Sequence, residues 1–582
     1  MSRNTEKRSR SKAACDRCRS RRSKCSGTIP CQACAKTRHP CRYSETKRKA
    51  IVLESKLKSL EYKALQYDIL TSSNSIGEQY ISEARHQDVP NITRTRAISL
   101  ILTACFHTGF PLRLDLMKAK VAEYCMREDE EEEEEDPCIV FPETLPQEER
   151  WVPALLMMVL ALGEIYDNSN PRPIDSKAGL PFFIAAWRAF EHLRLETPHP
   201  IEAIEFMNGA SFYFRAIGDD INALTYSGLA LQMCSSTGMF RRDDFSEESE
   251  LDEESVEVQY GRVVFWTTYI INRFLSVKDA QAMLLDRQII TRQYPLSLVY
   301  GEPSLKMGRQ HLKSFLLIGR LAEEVNHIVY QKQGSLQNRQ VFLKDVLEML
   351  QRLIDWKKSI PDDASLTHML SMSNMKRRLV LTVHLFYCLL IQLATAPVLV
   401  KILERNYHRS ILSGPLQSVI SNCFSSAGLS LNIITHLHKT DMFAIHGPSD
   451  TDYLYHTALT FAIFLAMGSD DPDMTESYIQ FSLDLLLTMS ERGNRKARHR
   501  YQNLEKLFSG IKSKRKRLSK QQKVCKIQLP DIVQDTSFMT PPQSFNFFSK
   551  EDLQFWEDAY LNSPTGVNGD NMMCSALEKF VK

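Results

Sequence analysis

Apolar residues in the long middle of the chain recur at the three- and four-residue spacing of an α-helix. Two series show this spacing: Ala223, Tyr226, Leu229, Ala230 and Met233, and then Phe265, Tyr269, Ile270 and Phe274. The first series ends near Thr237 and Gly238, and glycine suits the C-terminal end of a helix. Apolar and polar residues nowhere alternate with a period of two for long enough to indicate a strand. The pattern predicts a mainly all-α protein with a large helical domain over residues 90–490.

The most apolar stretch, residues 379–400, is long enough to cross a membrane. It contains His384, Gln392 and Pro397. Because these residues suit the interior of a large domain better than a lipid bilayer, we interpret the stretch as a core helix. No membrane partner is expected.

A shorter apolar pattern precedes the helical domain. Its positions follow a spacing of 4, 3, 4 and 3 residues, which is the seam of a coiled coil. They are Leu53, Leu57, Leu60, Ala64 and Tyr67. We predict a short coiled-coil dimerisation helix over residues 51–70, and therefore a homodimer. An ordinary amphipathic helix that packs on the body remains an alternative.

Six cysteines near the N-terminus form two copies of the spacing Cys-x2-Cys-x6-Cys, offset by 16 residues. They are Cys15, Cys18, Cys25, Cys31, Cys34 and Cys41. A structural zinc ion takes four ligands in tetrahedral geometry, and thiolate sulfur suits it. Two ions need eight ligand positions, so six sulfurs suffice only if two are shared. The repeat indicates that the first cysteine of each triplet is shared.

Almost nothing apolar lies between these cysteines, since Ile29 is the one sizeable aliphatic residue there. We therefore expect residues 13–43 to fold only with metal, because zinc can supply the missing folding energy. Six cysteines could instead form disulfides, as in small secreted domains. The N-terminus has no apolar signal-peptide core, and the other eight cysteines are scattered, which disfavours disulfides.

Positive charge is concentrated at the same end of the chain. Residues 1–50 contain 16 lysines and arginines against three acids, whereas the whole chain carries a net charge of only +3. A cationic end on an acidic remainder is typical of nucleic-acid binding. We predict a disordered basic arm at residues 1–12, the DNA-binding module at 13–43 and a linker at 44–50.

The segment from Ala14 to Tyr43 closely resembles the fungal zinc binuclear cluster DNA-binding domain. It has all six cysteines, the basic run before the third, and Pro30 just before the fourth. The resemblance implies two zinc ions per chain and a helix between the second and third cysteines that enters the major groove. It also implies that Arg21 and Arg22 contact a CGG-type triplet in double-stranded DNA. The further expected DNA contacts are Arg17, Arg19 and Lys24.

Three stretches of the middle resemble the fungal-specific transcription factor domain, also called the middle homology region. They are residues 223–244, 261–276 and 379–400. Asn272 stands where relatives usually have aspartate, and Ala396 where arginine is usual. The resemblance implies an all-helical regulatory domain without catalytic residues. The sequence also lacks the common hydrolase and nucleotide-binding motifs, so no enzyme is predicted.

Charge runs flank and interrupt the helical domain. The acidic run at residues 128–136 should be a disordered loop. Residues 491–529 form a basic segment, with a nuclear-import type of cluster at 512–517. Residues 530–582 mix acids with aromatic side chains, and we interpret them as a disordered tail and activation segment that recruits the transcription machinery. A terminal helix that packs on the body is the alternative.

These observations lead to one hypothesis for the whole chain. The chain is a nuclear, sequence-specific, zinc-dependent transcription factor that regulates RNA polymerase II genes. The acidic and aromatic tail favours an activator over a repressor, and we expect it to act on a metabolic or secondary-metabolite pathway. A pathway repressor, or a regulator of nutrient utilisation that senses a small-molecule effector, remains an alternative. An RNA-binding protein, or an enzyme or receptor with an appended DNA module, also remains open.

Overall fold

The computed structural model describes parts of two compact units of the chain. The units are Met1–Thr71 and Ser72–Lys582. The described residues are 14–26, 28, 30–42, 91–108, 114–125, 136–141, 151–169, 178–193, 200–241, 256–281, 285, 290, 309–331, 339–362, 365–404, 414–469, 471–518 and 569–581. The predicted coiled coil at 51–70 lies outside them, as do the arm at 1–12, the linker at 44–50 and the acidic run apart from Asp136.

Two short helices form the described part of the first unit. They are α1 (Asp16–Ser20) and α2 (Gln32–Lys36). The second unit is a helical body, whose helices are α3 (Arg94–Thr108), α4 (Leu114–Tyr124), α5 (Trp151–Tyr166), α6 (Leu180–Leu193), α7 (Pro200–Ala216), α8 (Asp220–Ser236), α9 (Val256–Lys278), α10 (Arg309–Asn326), α11 (Arg339–Lys358), α12 (Asn374–Glu404), α13 (Gly414–Lys439), α14 (Pro448–Ala466), α15 (Pro472–Glu491), α16 (Arg495–Leu518) and α17 (Gly569–Val581). Within the described residues, β-type pairing is limited to one bridge between Thr93 and Cys138. The mainly all-α prediction is confirmed.

The helix α12 runs through the largest apolar core of the body. Among the described residues it is the one helix long and apolar enough to cross a membrane, and 89% of its most apolar window is buried inside the protein. His384 and Gln392 are both buried within it. Since other helices cover it on nearly all sides, the structure confirms the interpretation of residues 379–400 as a core helix.

The end of α8 follows the sequence pattern closely. Asp219 caps its N-terminus by accepting a hydrogen bond from the Asn222 N–H at 3.0 Å. At the other end, Gly238 has a φ of +74°, and the Met239 N–H donates to the Cys234 carbonyl at 3.0 Å. This is the glycine-terminated helix end that the sequence predicts.

A buried group of ion pairs joins helices that are far apart in sequence. At its centre is Asp452 of α14, which accepts a hydrogen bond from Arg215 Nη2 at 2.5 Å. Its oxygens also lie 3.0 Å from Lys278 Nζ and 3.4 Å from Lys496 Nζ, and they pair with Arg500. Burial alone would raise the pKa of Asp452, but the surrounding cations hold it well below its usual range. The acid therefore stays ionised in the core.

The helical body extends beyond the predicted boundary at residue 490. The helix α16 packs on α14 and α15, and α17 packs on α12, α14 and α16. Each has one apolar stripe at helical spacing, and the buried residues are Leu504, Leu507, Phe508 and Ile511 in α16 and Met572, Met573, Ala576 and Leu577 in α17. The helical body therefore continues past the predicted boundary at residue 490, through α16. The prediction of a disordered tail over residues 530–582 is wrong for α17. The charged faces of both helices hid the stripes, and the stretch between 519 and 568 lies outside the described residues.

Candidate metal centre and nucleic-acid interface

The two short helices of the first unit begin in the same way. Cys15 is the N-cap of α1, and its sulfur accepts a hydrogen bond from the Cys18 N–H at 3.5 Å. Cys31 caps α2, and its sulfur accepts from the Cys34 N–H at 3.4 Å. Each Cys-x2-Cys pair therefore both starts a helix and turns two sulfurs to the same side.

The turns that follow the helices also repeat. Arg22 and Arg38 lie 16 positions apart and share a φ of 49°, which is uncommon for residues with a side chain. After each turn, the third cysteine of the triplet comes back to the first. The Cys15 N–H donates to Cys25 Sγ at 3.5 Å, and the Cys31 N–H donates to Cys41 Sγ at 3.3 Å. The two halves are thus one local structure built twice.

The six sulfurs come together as two overlapping groups of four. Within each group, all the sulfur atoms lie within 4.8 Å of one another. The groups are Cys15, Cys18, Cys25 and Cys31, and Cys15, Cys31, Cys34 and Cys41. The sulfurs of Cys15 and Cys31 belong to both groups and are 3.7 Å apart. This is the sharing that the sequence repeat indicates.

The donor set fits zinc and does not fit disulfides. All six thiols are free, and a sulfur separation of 3.7 Å is far longer than the roughly 2.05 Å of a disulfide. Each group offers the four sulfurs that a structural zinc ion takes. The cluster binds two zinc ions. Bound to these sulfurs, zinc would supply folding energy, and no ligand position would be left open for a substrate.

The shared sulfurs need positive charge between them. The Cys34 N–H lowers the pKa of the Cys31 thiol to about 6. The Cys18 N–H also lowers the pKa of Cys15, but burial and the neighbouring sulfurs outweigh it, so the pKa of Cys15 is raised overall. Because the two sulfurs are close, both become thiolates together only where cations offset their charge, as two divalent ions would.

The predicted DNA-contacting residues divide into two groups. Arg17 is partly buried, and its Nη1 donates to the Thr37 hydroxyl, so it braces the first half against the second. The side chains of the other four are exposed: Arg19, Arg21, Arg22 and Lys24. Sequence reasoning did not anticipate the internal role of Arg17, because its partner lies in the other half of the repeat.

The helix next to these residues starts earlier than the resemblance implied. It spans Asp16–Ser20, so it begins before the second cysteine and extends only two residues past it. Cys15 caps it at the N-terminus, and Arg21 is its C-cap. Arg21 and Arg22 therefore stand just beyond the C-terminal end of α1, where the helix dipole favours cations.

The two halves share a backbone but differ in charge. Four of the five cations of the first half have an uncharged residue 16 positions later, and only Arg22 is matched by a cation; in the reverse direction, Lys36 of the second half corresponds to Ser20. The pairs are Arg17 and Ala33, Arg19 and Ala35, Arg21 and Thr37, Arg22 and Arg38, and Lys24 and Pro40. The first half therefore presents a denser positive surface, which a comparison of the two repeats in the sequence would have found.

Comparison with known proteins agrees with this geometry. Residues 13–50 match the fungal Zn(2)-Cys(6) binuclear cluster domain, and residues 141–358 match the fungal specific transcription factor domain. A similar protein from Schizosaccharomyces pombe, the thiamine repressible genes regulatory protein thi1, is 23% identical over 312 residues. That match covers 50% of this chain and 38% of the relative.

A second relative in Schizosaccharomyces pombe is the uncharacterized transcriptional regulatory protein C3C7.04. It is 19% identical over 350 residues, which cover 59% of this chain and 43% of the relative. The chain thus spans less than half the length of either relative. Both matched families consist of transcription-factor domains and not of enzymes. Two segments of the chain therefore match domain families of fungal transcription factors, one at residues 13–50 and the other at 141–358.

Proposed function

We propose that this protein is a nuclear transcription factor that binds DNA in a sequence-specific, zinc-dependent manner and reads CGG-type triplets. The observation that supports the proposal best is the charge difference between the two halves of the cluster. The exposed cations Arg19, Arg21, Arg22 and Lys24 all lie on the first half. A rigid cationic projection of this kind suits the major groove, where guanine offers the acceptors O6 and N7.

The six cysteines act as the metal ligands, with Cys15 and Cys31 shared between the ions. Arg21 and Arg22 read guanines, because arginine can make a bidentate contact with O6 and N7. Arg19 and Lys24 contact phosphates, which position the module without specifying a sequence. Arg17 acts through its hydrogen bond to Thr37, which holds the two halves in register.

The remaining tasks fall to other segments. The helix at 51–70 pairs two chains, the helical body regulates activity, and the acidic and aromatic stretch near residues 545–561 recruits the transcription machinery. The first and last of these segments lie outside the described residues. Activation of a metabolic or secondary-metabolite pathway is the role we propose for the whole.

A second candidate is nutrient-responsive regulation. It is favoured by the relative whose name assigns it to thiamine-repressible genes. Such a regulator could repress its genes or sense a small-molecule effector. Expression profiling of a deletion strain with and without the nutrient would separate this role from constitutive activation.

The base-reading claim is tested with the full chain and two fluorescent duplexes, one containing CGG triplets and one with scrambled sequence. Arg21→Ala should weaken binding to the CGG duplex by about 1–3 kcal/mol, or roughly five- to 150-fold, with little change on the scrambled duplex. The measurement is fluorescence anisotropy at fixed salt concentration, because phosphate contacts are salt dependent.

The matched control uses the two related turns. Arg22→Gly and Arg38→Gly each remove one cation from a position with a φ of 49°, which glycine adopts without strain. Arg22→Gly should lose the preference for CGG, whereas Arg38→Gly should keep it. Equal losses in the two variants, or equal losses on both duplexes, would refute base reading by the first half.

A further inference from the structure

The helical body contains a cavity of about 180 Å³ between helices α3, α7, α9, α10, α12 and α14. Protein interiors are close-packed, and voids much larger than a water molecule are few. An engineered apolar cavity of about 150 Å³ in another protein stays dry and binds benzene. A cavity of the present size therefore accommodates a molecule somewhat larger than benzene.

The lining of the cavity is largely apolar. Examples from four of the helices are Trp266 and Phe274 of α9, Leu316 of α10, Phe386 of α12 and Tyr453 of α14. Among the described lining residues there is no carboxylate and no lysine or histidine. A buried cation in this space would have no counter-charge, so cationic ligands are disfavoured.

Arg215 is the one charged residue among those lining residues, and its charge is already used. Its Nη2 donates to Asp452 at 2.5 Å, its guanidinium lies over the Phe274 ring, 4.4 Å from the centroid, and its buried Nε has no hydrogen-bond partner among the described residues. A ligand therefore does not need a negative charge to balance Arg215. Burying such a charge would also be costly.

Tyr453 supplies a polar group at the cavity. The residue is only 3% exposed, and it is one of the residues that line the cavity. Burial raises the pKa of Tyr453, so the hydroxyl stays protonated and is a donor. By contrast, the lining hydroxyls of Ser211 and Thr382 already donate to backbone carbonyls, at 2.6 and 2.9 Å.

We propose that this cavity binds a neutral, largely apolar small molecule of about ten non-hydrogen atoms with one hydrogen-bond acceptor, which Tyr453 recognises. The ligand would contact helices that lie far apart in the sequence, from α3 to α14. Because it would bind only the folded state, it would stabilise that state by mass action. Because Arg215 joins the cavity to Asp452, the ligand would also reach the buried ion pairs. Use of the site as an effector switch rests on the proposed transcription-factor function, whereas binding itself does not.

Three probes of one shape test the proposal on the full chain. They are 1-indanone, which carries a carbonyl acceptor, indane, which lacks it, and 1-aminoindane, which is a cation at pH 7. Isothermal titration calorimetry and thermal melting should show binding of 1-indanone with a dissociation constant below about 1 mM. Indane should bind roughly three- to tenfold more weakly, as expected for the loss of one neutral hydrogen bond, and 1-aminoindane should not bind.

Two kinds of variant locate the site. Thr267→Phe fills the cavity from a half-buried lining position, and Thr225→Phe makes the same change at an exposed position on α8. Thr267→Phe should abolish 1-indanone binding, and Thr225→Phe should retain it. Tyr453→Phe should remove the preference for 1-indanone over indane while indane binding persists.

Absence of 1-indanone binding to the unmodified chain would overturn the proposal, as would equal affinity for all three probes. Equal binding by Thr267→Phe and Thr225→Phe would also overturn it. If Thr267→Phe fails to fold, the probe series and Tyr453→Phe still decide the matter. Anisotropy with the CGG duplex on the same preparation tests the proposed function separately, so failure of either claim leaves the other measurable.

Discussion

Asp452 illustrates how single polar side chains hold the helical body together. Its partners Arg215, Lys278 and Arg500 come from three other helices, and the nearest of them in sequence is 48 positions away. Loss of the central negative charge would leave Arg215 buried without its carboxylate partner. Lys278 and Arg500 would keep more distant carboxylate partners, such as Asp279 and Asp570. Removal of one partner from a buried ion pair typically costs 3–5 kcal/mol.

We therefore predict that Asp452→Asn lowers the free energy of unfolding by about 3–5 kcal/mol. The exposed Asp484 provides a control, because Asp484→Asn makes the same change on the surface of α15 and should cost less than about 0.5 kcal/mol. Urea unfolding followed by tryptophan fluorescence measures both, since all five tryptophans lie in the second unit. Similar costs for the two variants would contradict the role assigned to Asp452.

The same cluster sets the response to acid. The pKa of Asp452 is held well below its usual range, and that of Asp220 is lowered to about 2, in each case because nearby cations outweigh the effect of burial. An unfolded aspartate titrates near 3.9, so the stabilisation is complete above about pH 5 and is lost as pH falls through 4 towards 2. The free energy of unfolding of Asp452→Asn should therefore fall less steeply with decreasing pH than that of the original chain.

At the residue scale, local chemistry was predictable and long-range chemistry was not. Cys15 and Cys31 could be identified as shared sulfurs because their partners lie within the same short segment. Asp452 gave no such signal. An aspartate meets an arginine 237 positions away only after helices have packed, and no sequence pattern near either residue records that contact.

At the scale of elements, the helix at the C-terminal end of the described chain changes the interpretation of the tail. Asp570 of α17 lies 2.5 Å from His456 Nδ1 and 3.6 Å from Arg500 Nη2. Lys579 pairs with Glu404 at 3.0 Å. These contacts and the apolar stripe fix α17 to the body. Any activating segment upstream of it is therefore held to the body on its C-terminal side.

We predict that Leu577→Ala, which creates a cavity beneath α17, lowers the free energy of unfolding by about 2–5 kcal/mol. Leu577 is fully buried, whereas its neighbour Glu578 is exposed. Glu578→Ala should therefore change stability by less than about 0.5 kcal/mol. Denaturant unfolding, again followed by tryptophan fluorescence, distinguishes the two. If both variants are as stable as the original chain, α17 does not contribute to the fold.

Helix positions with clear end signals were predictable from the sequence, and marginal ones were not. Helix α8 ends just before Gly238, where the pattern indicated. The predicted position of the helix in the first half of the cluster was wrong. Cys15 is both a metal-site sulfur and the N-cap of α1, and a pattern of metal ligands does not reveal that second role. In α16, a strongly basic composition concealed the apolar stripe that includes Leu504 and Phe508.

At the scale of the whole molecule, the chain consists of two units that obtain their stability in different ways. The body buries apolar helices in a large core. Among the described residues of the first unit, the buried apolar core consists of cysteines, with Cys15, Cys31 and Cys34 fully buried. We therefore expect this module to depend on metal for its fold. The composition of residues 1–50 allowed this division to be predicted, because charge and cysteine content need no tertiary contact to be visible.

Zinc content measured together with DNA binding tests the central claim most directly. Elemental analysis of the full chain, purified under reducing conditions, should give two zinc ions per chain, and Cys15→Ser should give fewer. Cys125→Ser lies outside the cluster and should keep both ions. Removal of zinc with a chelator should abolish binding to the CGG duplex and leave the unfolding of the body unchanged, and added zinc should restore binding. A zinc-free chain that binds the CGG duplex with undiminished affinity, or six cluster thiols oxidised in pairs, would contradict the account.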